Sequence, residues 1–223
     1  MQGWFGFGAA LLVFFLSHAI PVRPPVRPWL VARLGLRGYF AAYSLLSIAV
    51  LAWLIIAAAN APYVQVIPPW GALRWVPLLA MGPVCLLVTA GMWRQNPLSF
   101  GGVGPGVFDP EHPGLLAVTR HPMLLAMFIW SMAHLLANGD LAHVILFGLF
   151  AGFAWIGMAL IDRRKRRDMG EDAWKKMSRN TARLSLASVA SLKGLTRPAL
   201  AAIGMYALLI LFHPLVIGVS PLP

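Results

Sequence analysis

The chain of 223 residues is 59% hydrophobic and only 11% charged, with a positive mean hydropathy, and so few polar side chains cannot cover a water-facing surface. That excludes a soluble domain and indicates an integral membrane protein. The net charge of +11 fits cytoplasmic loops on a lipid bilayer with anionic headgroups better than it fits nucleic acid, which is not expected as a partner.

Apolar runs near the ~20 residues that cross ~30 Å of hydrocarbon recur along the whole chain, leaving no room for a separate soluble domain. A single domain over residues 1–223 is expected. The first run, residues 4–20, lacks a basic flank and a small-x-small cleavage site, so it reads as a retained span rather than a signal peptide. It carries Ser17-His18 and is stopped by Pro21, Pro24, Pro25 and Pro28. A basic loop with Arg23, Arg27, Arg33 and Arg37 follows, and such a loop stays in the cytoplasm. Spans two and three are expected at residues 39–59 and 73–93, with Trp70, Trp75 and Trp93 at interfacial positions. Cys85, the only cysteine, lies in span three and forms no intrachain disulfide.

Residues 94–113, with SFGGVGPGVFDPEHPG, are too rich in glycine and proline for a lipid-exposed helix and must be a loop or a segment folded on protein. Span four (122–137) and span five (141–161) are joined by Asn138-Gly139-Asp140, a tight turn that predicts an antiparallel hairpin. Residues 162–193 are the most polar part, and their Trp174, Met177 and Leu184 predict a basic amphipathic cytoplasmic segment lying on the membrane like a lid. A sixth span is expected at 198–218. Lysine and arginine concentrate in loops one–two, three–four and five–six, which places both termini on the periplasmic side. The fold class is therefore all-α, a polytopic membrane helix bundle of about six transmembrane helices.

Two kinds of residue point to chemistry. Thr119-Arg120-His121-Pro122 reads structurally as a proline-started helix with an interfacial arginine, and functionally as a cofactor-binding pair in which Arg120 forks onto a carboxylate or phosphate while His121 moves a proton or binds metal. Glu111-His112-Pro113 shares this ambiguity, and its loop position favours the structural side. His18, His134 and His213 lie within apolar spans and His143 near the start of span five; each alone reads as a packed histidine. Jointly they mark a working site, because intramembrane ionisable groups need partners, and two facing imidazoles are the axial ligation that haem iron accepts. Neither HExxH nor CxxCH occurs.

Ser17-His18 with the arginines after it, TRHP, Trp130-Ser131-Met132-Ala133-His134, Asn138-Gly139-Asp140 and Asp162-Arg163 together resemble the NnrU family of bacterial membrane proteins, over nearly the whole chain. The resemblance implies a multi-pass protein of the bacterial inner membrane linked to nitric-oxide and nitrite metabolism, and a kinship to zeta-carotene isomerase, which holds a b-type haem. It implies His18 and His134 as the metal ligands of haem b, an isomerase-like role, and room for a hydrophobic small molecule. The isomerase has a cysteine three residues before its second histidine; this chain has Ser131. More distantly, LLAVTRHPMLL and the later G-x-x-x-W-x-x-M-x-x-x-T-A-R resemble the isoprenylcysteine carboxyl methyltransferase superfamily. That likeness implies S-adenosylmethionine held by Arg120, His121 and residues 162–183, although Ile161-Asp162 replaces its acidic pair and Trp174 and Met177 replace its tyrosines.

A straight helix carries His134, twelve residues beyond Pro122, ~18 Å from the cytoplasmic end, whereas His18 is expected near that end. The pair His18 and His134 then requires a tilted or displaced span. The alternatives are His18 with His121, and His134 with His143 or His213.

Overall fold

The computed structural model describes residues 2–192 and 194–223; Met1 and Lys193, the last residue of the polar stretch, lie outside the described residues. Seven α-helices occur among the described residues: α1 (Gln2–Ala19), α2 (Val26–Ala59), α3 (Trp75–Trp93), α4 (Pro122–Asn138), α5 (Leu141–Met169), α6 (Glu171–Ser178) and α7 (Thr196–Ile217). No strand forms among these residues. Four helices are long and apolar enough to cross a bilayer: α2, α3 with its preceding 3-10 turn, α5 and α7. The other two expected spans are shorter apolar helices, and α4, at 17 residues, reaches only ~25 Å. Large apolar side chains such as Leu45, Leu79, Ile203 and Leu211 stand exposed along these helices, as a lipid-facing surface requires.

Two boundaries differ from the sequence reading. The basic residues Arg27, Arg33 and Arg37 sit on α2 rather than in a loop, because the first turn tolerates Pro28 and the helix passes Gly35 through a kink (φ 68°, ψ 165°) that only glycine takes without strain. Helix α5 runs eight residues past Ile161 into the basic stretch.

Contacts gather into two compact units, Met1–Val66 with Asp140–Leu146, and Ile67–Gly139 with Phe147–Pro223. In the first, α1 packs on α2 around Phe7, Ala10, Tyr39 and Leu54, and the Tyr39 hydroxyl donates to the Pro21 carbonyl at 3.2 Å. Asp140 accepts from the His143 backbone N–H (3.2 Å) and ring Nδ1 (2.7 Å), so its carboxylate starts α5.

In the second unit α3 packs against both α4 and α7. Thr89 donates to the Pro198 carbonyl at 2.9 Å and Tyr206 to the Leu78 carbonyl at 2.6 Å, which sets α3 and α7 antiparallel. Helix α4 begins with Pro122, whose missing donor is harmless at a first turn, and ends on Gly139 in the left-handed conformation (φ 68°). The expected hairpin follows, with Leu135 facing Gly148 and Leu124 facing Gly157.

Candidate functional site

The residues around Arg120-His121 form a hydrogen-bonded cluster at the start of α4. Asn96 organises the first side. Its Oδ1 accepts from the backbone N–H of Leu98 (3.0 Å) and Ser99 (3.1 Å), and its Nδ2 donates to the Arg120 carbonyl at 2.9 Å. This Asx turn aims Ser99 inward. The second side is the segment after α6, which pairs with residues 116–120 through backbone bonds from Arg120 to Ala182 (2.7 Å), Ala182 to Leu116 (3.2 Å) and Ser185 to Val118 (2.8 Å). Thr119 seals the corner by donating to the Arg183 carbonyl at 3.0 Å.

At the centre is Asp162, buried near the end of α5's apolar run. Arg120 forks onto it, Nε to Oδ1 at 3.3 Å and Nη2 to Oδ2 at 3.0 Å, while its Nη1 donates to the Thr181 carbonyl at 3.2 Å. Arg183 adds Nε and Nη2 to Oδ2, both at 3.1 Å. His121, fully buried, places Nε2 3.0 Å from Oδ1 and Nδ1 2.9 Å from Ser99 Oγ. A carboxylate only accepts, so Nε2 bears the proton and Nδ1 accepts from the Ser99 hydroxyl. The Ser99–His121–Asp162 chain has the residue types of a nucleophilic triad. Its Asp162 is shared with two guanidinium groups, however, rather than reserved for the imidazole, and Ser99 is buried. The arrangement braces α4, α5 and the 179–185 segment together.

Trp174 is buried with Leu98 and Leu116, and the Arg120 guanidinium lies 5.5 Å from its ring centroid. This corrects the expectation that Trp174 and Met177 rest on the membrane: α6 turns that face onto protein because a cation and an apolar cluster are available there. Lys175 and Lys176 remain exposed. Arg166 pairs with Glu171 across Gly170 and holds the Glu171 carboxyl below the usual carboxylate range. His112 bonds Asp109 at 2.8 Å, Glu111 pairs with Arg179, and both pairs are exposed.

His134 is on α4 in the same unit, about three turns beyond His121. Its Nδ1 lies 2.8 Å from the Trp130 carbonyl, and its ring is flanked by Trp130 (5.2 Å) and Phe147 (5.5 Å). His18 belongs to the first unit, in the last turn of α1, with Nδ1 2.8 Å from the Phe14 carbonyl, Phe14's ring at 4.2 Å and Tyr43's at 6.1 Å. His213 is half-buried and bonds the Val219 carbonyl at 2.8 Å. Among the described residues no three His, Cys, Asp or Glu groups gather as a metal site.

The sequence reading named Arg120 and His121 and placed Asp162–Arg183 with them. It missed Asn96 and Ser99. The Asn-Pro-Leu-Ser spacing of an Asx turn was the available signal for both.

The sequence profile of the family described as NnrU protein matches residues 7–221, nearly the entire chain. The protein belongs to the NnrU family. No curated protein and no solved structure matches it. The Arg120–Asp162 brace is thus part of an NnrU-family membrane protein.

Proposed function

We propose that this NnrU-family protein binds b-type haem in the bilayer through His18 and His134 and serves an isomerase-like or nitrogen-oxide-linked role in the bacterial inner membrane, with both termini periplasmic. One observation supports this reading above the others. In both histidines Nδ1–H donates to the carbonyl four residues earlier, at 2.8 Å, which leaves the Nε2 lone pair as the ligating atom. That backbone bond fixes the tautomer and orients the ring, the support that metal-bound histidines generally have. The aromatic neighbours Phe14 and Tyr43, and Trp130 and Phe147, suit a flat apolar group. Haem asks two axial nitrogens of a protein, since the porphyrin supplies the other four, so a three-ligand cluster is not needed. When bound, haem supplies one-electron chemistry at an iron whose potential the axial ligands tune.

The alternative use of Arg120 and His121 for S-adenosylmethionine would need the Arg120 fork free for a carboxylate, and that fork is engaged by Asp162. The deciding experiment is the absorption spectrum of detergent-purified protein after haem supplementation. A Soret band that is lost or shifted in His18→Ala and in His134→Ala is expected; absence of the band in the native chain would sink the proposal.

A further inference from the structure

The glycine-rich loop between α3 and α4 carries three exposed large apolar side chains: Phe100 is 52% exposed, Val103 75% and Val107 82%. The loop's depth is set by contacts within its own unit. Gly104 N donates to the Met92 carbonyl at 3.0 Å in the last turn of α3, and Gln95 N donates to the Gly106 carbonyl at 3.1 Å. Gly101 lies so close to Met123, the second residue of α4, that a Cβ there would meet its side chain at 2.5 Å. The loop therefore lies across the last turn of one membrane helix and the first turn of the next.

That level is where hydrocarbon gives way to headgroups. The same turn of α3 exposes Met92 and Trp93, and Trp is enriched at this boundary. Arg94 is exposed beside them, and the Asp162 brace ties the basic end of α5 to the same end of the unit. Glu111, past the loop, is paired with Arg179, which offsets its charge at the surface. Apolar side chains at headgroup depth beside an exposed arginine are the composition of an interfacial anchor.

The geometry points to the 100–107 loop as a membrane-seated anchor, inserting Phe100, Val103 and Val107 into the anionic leaflet that the basic α5 end faces. A cleft of about 480 Å³ opens beside it, lined by Val103, Val107, Phe108 and Met177 with Gln95 and Asn96. Seating the loop puts the mouth of that cleft against lipid rather than water. This inference is independent of haem.

Site-directed fluorescence in nanodiscs containing phosphatidylglycerol tests it. Val103→Cys and Val107→Cys, each in a Cys85→Ala background, are labelled with an environment-sensitive NBD maleimide, and His112→Cys serves as the aqueous reference. Should Cys85→Ala melt below the native chain, Cys85 is retained, since its side chain is fully buried. Blue-shifted emission at 103 and 107 that brominated lipid quenches and aqueous iodide does not, with the reverse at 112, is expected. Iodide quenching at 103 and 107 equal to that at 112 overturns the anchor.

Discussion

Arg120 and Asp162 meet two-to-two, Nε on Oδ1 and Nη2 on Oδ2, so that the segment just before α4 and the end of α5's apolar run are joined by a forked ion pair. Asp162 also receives Arg183 and the His121 ring, and each of its oxygens has more than one donor. Asp162→Asn keeps the size and an acceptor for His121 but leaves Arg120 without its counter-charge at a site that is nearly closed to solvent. Removing one member of a buried pair is destabilising by ~3–5 kcal/mol, and the half-exposed Arg183 puts this case at the lower end. A large drop in the thermal midpoint of the detergent-solubilised protein is expected for Asp162→Asn, and a smaller one for Arg120→Lys, which keeps the charge and loses the fork. An Asp162→Asn variant melting with the native chain would remove the brace from the account.

Gly104 and Gly106 provide a paired test of the loop. A Cβ at Gly104 would land on the Trp93 carbonyl, and backbone there cannot step aside without unpicking the end of α3. A Cβ at Gly106 would meet Arg94 Cγ at 3.4 Å, an ordinary contact with a flexible side chain. Gly104→Ala is expected to destabilise by ~2 kcal/mol, in the range of overpacking, while Gly106→Ala melts near the native temperature. Equal melts for the two would mean that the loop is not clamped on α3.

The helices were legible because hydropathy and proline report on each segment locally. Pro122 and Gly139 bracket α4 as their backbone preferences require, and the Asn138-Gly139-Asp140 turn predicts the hairpin that Leu135–Gly148 and Leu124–Gly157 realise. The segment from Arg23 to Arg37 misled, because arginines following a run of prolines read as loop while the helix begins at Val26 and continues through Gly35 with a kink. Trp174 misled for a different reason. Amphipathic periodicity says that a face is buried but not against what, and the apolar cluster of Leu98 and Leu116 that receives it comes from segments more than fifty residues away. Ser99 had no local mark beyond the Asx spacing, since its role arises only when the loop folds beneath His121.

Ser131 separates a packed hydroxyl from one with a task. Another hydroxyl in these helices returns its proton to the preceding turn: Ser17 donates to the Phe14 carbonyl at 3.0 Å. The Ser131 hydroxyl is fully buried and has no hydrogen-bond partner among the described residues. A desolvated, unpaired hydroxyl is a liability of ~1–3 kcal/mol, and alanine is the better helix former. Ser131→Ala is therefore expected to raise stability by about 1 kcal/mol, read as an upward shift of the thermal midpoint. A fall of similar size instead would mean that the hydroxyl has a partner in the membrane, one turn from His134, and the same melts repeated with added haem would tell whether that partner arrives with the cofactor.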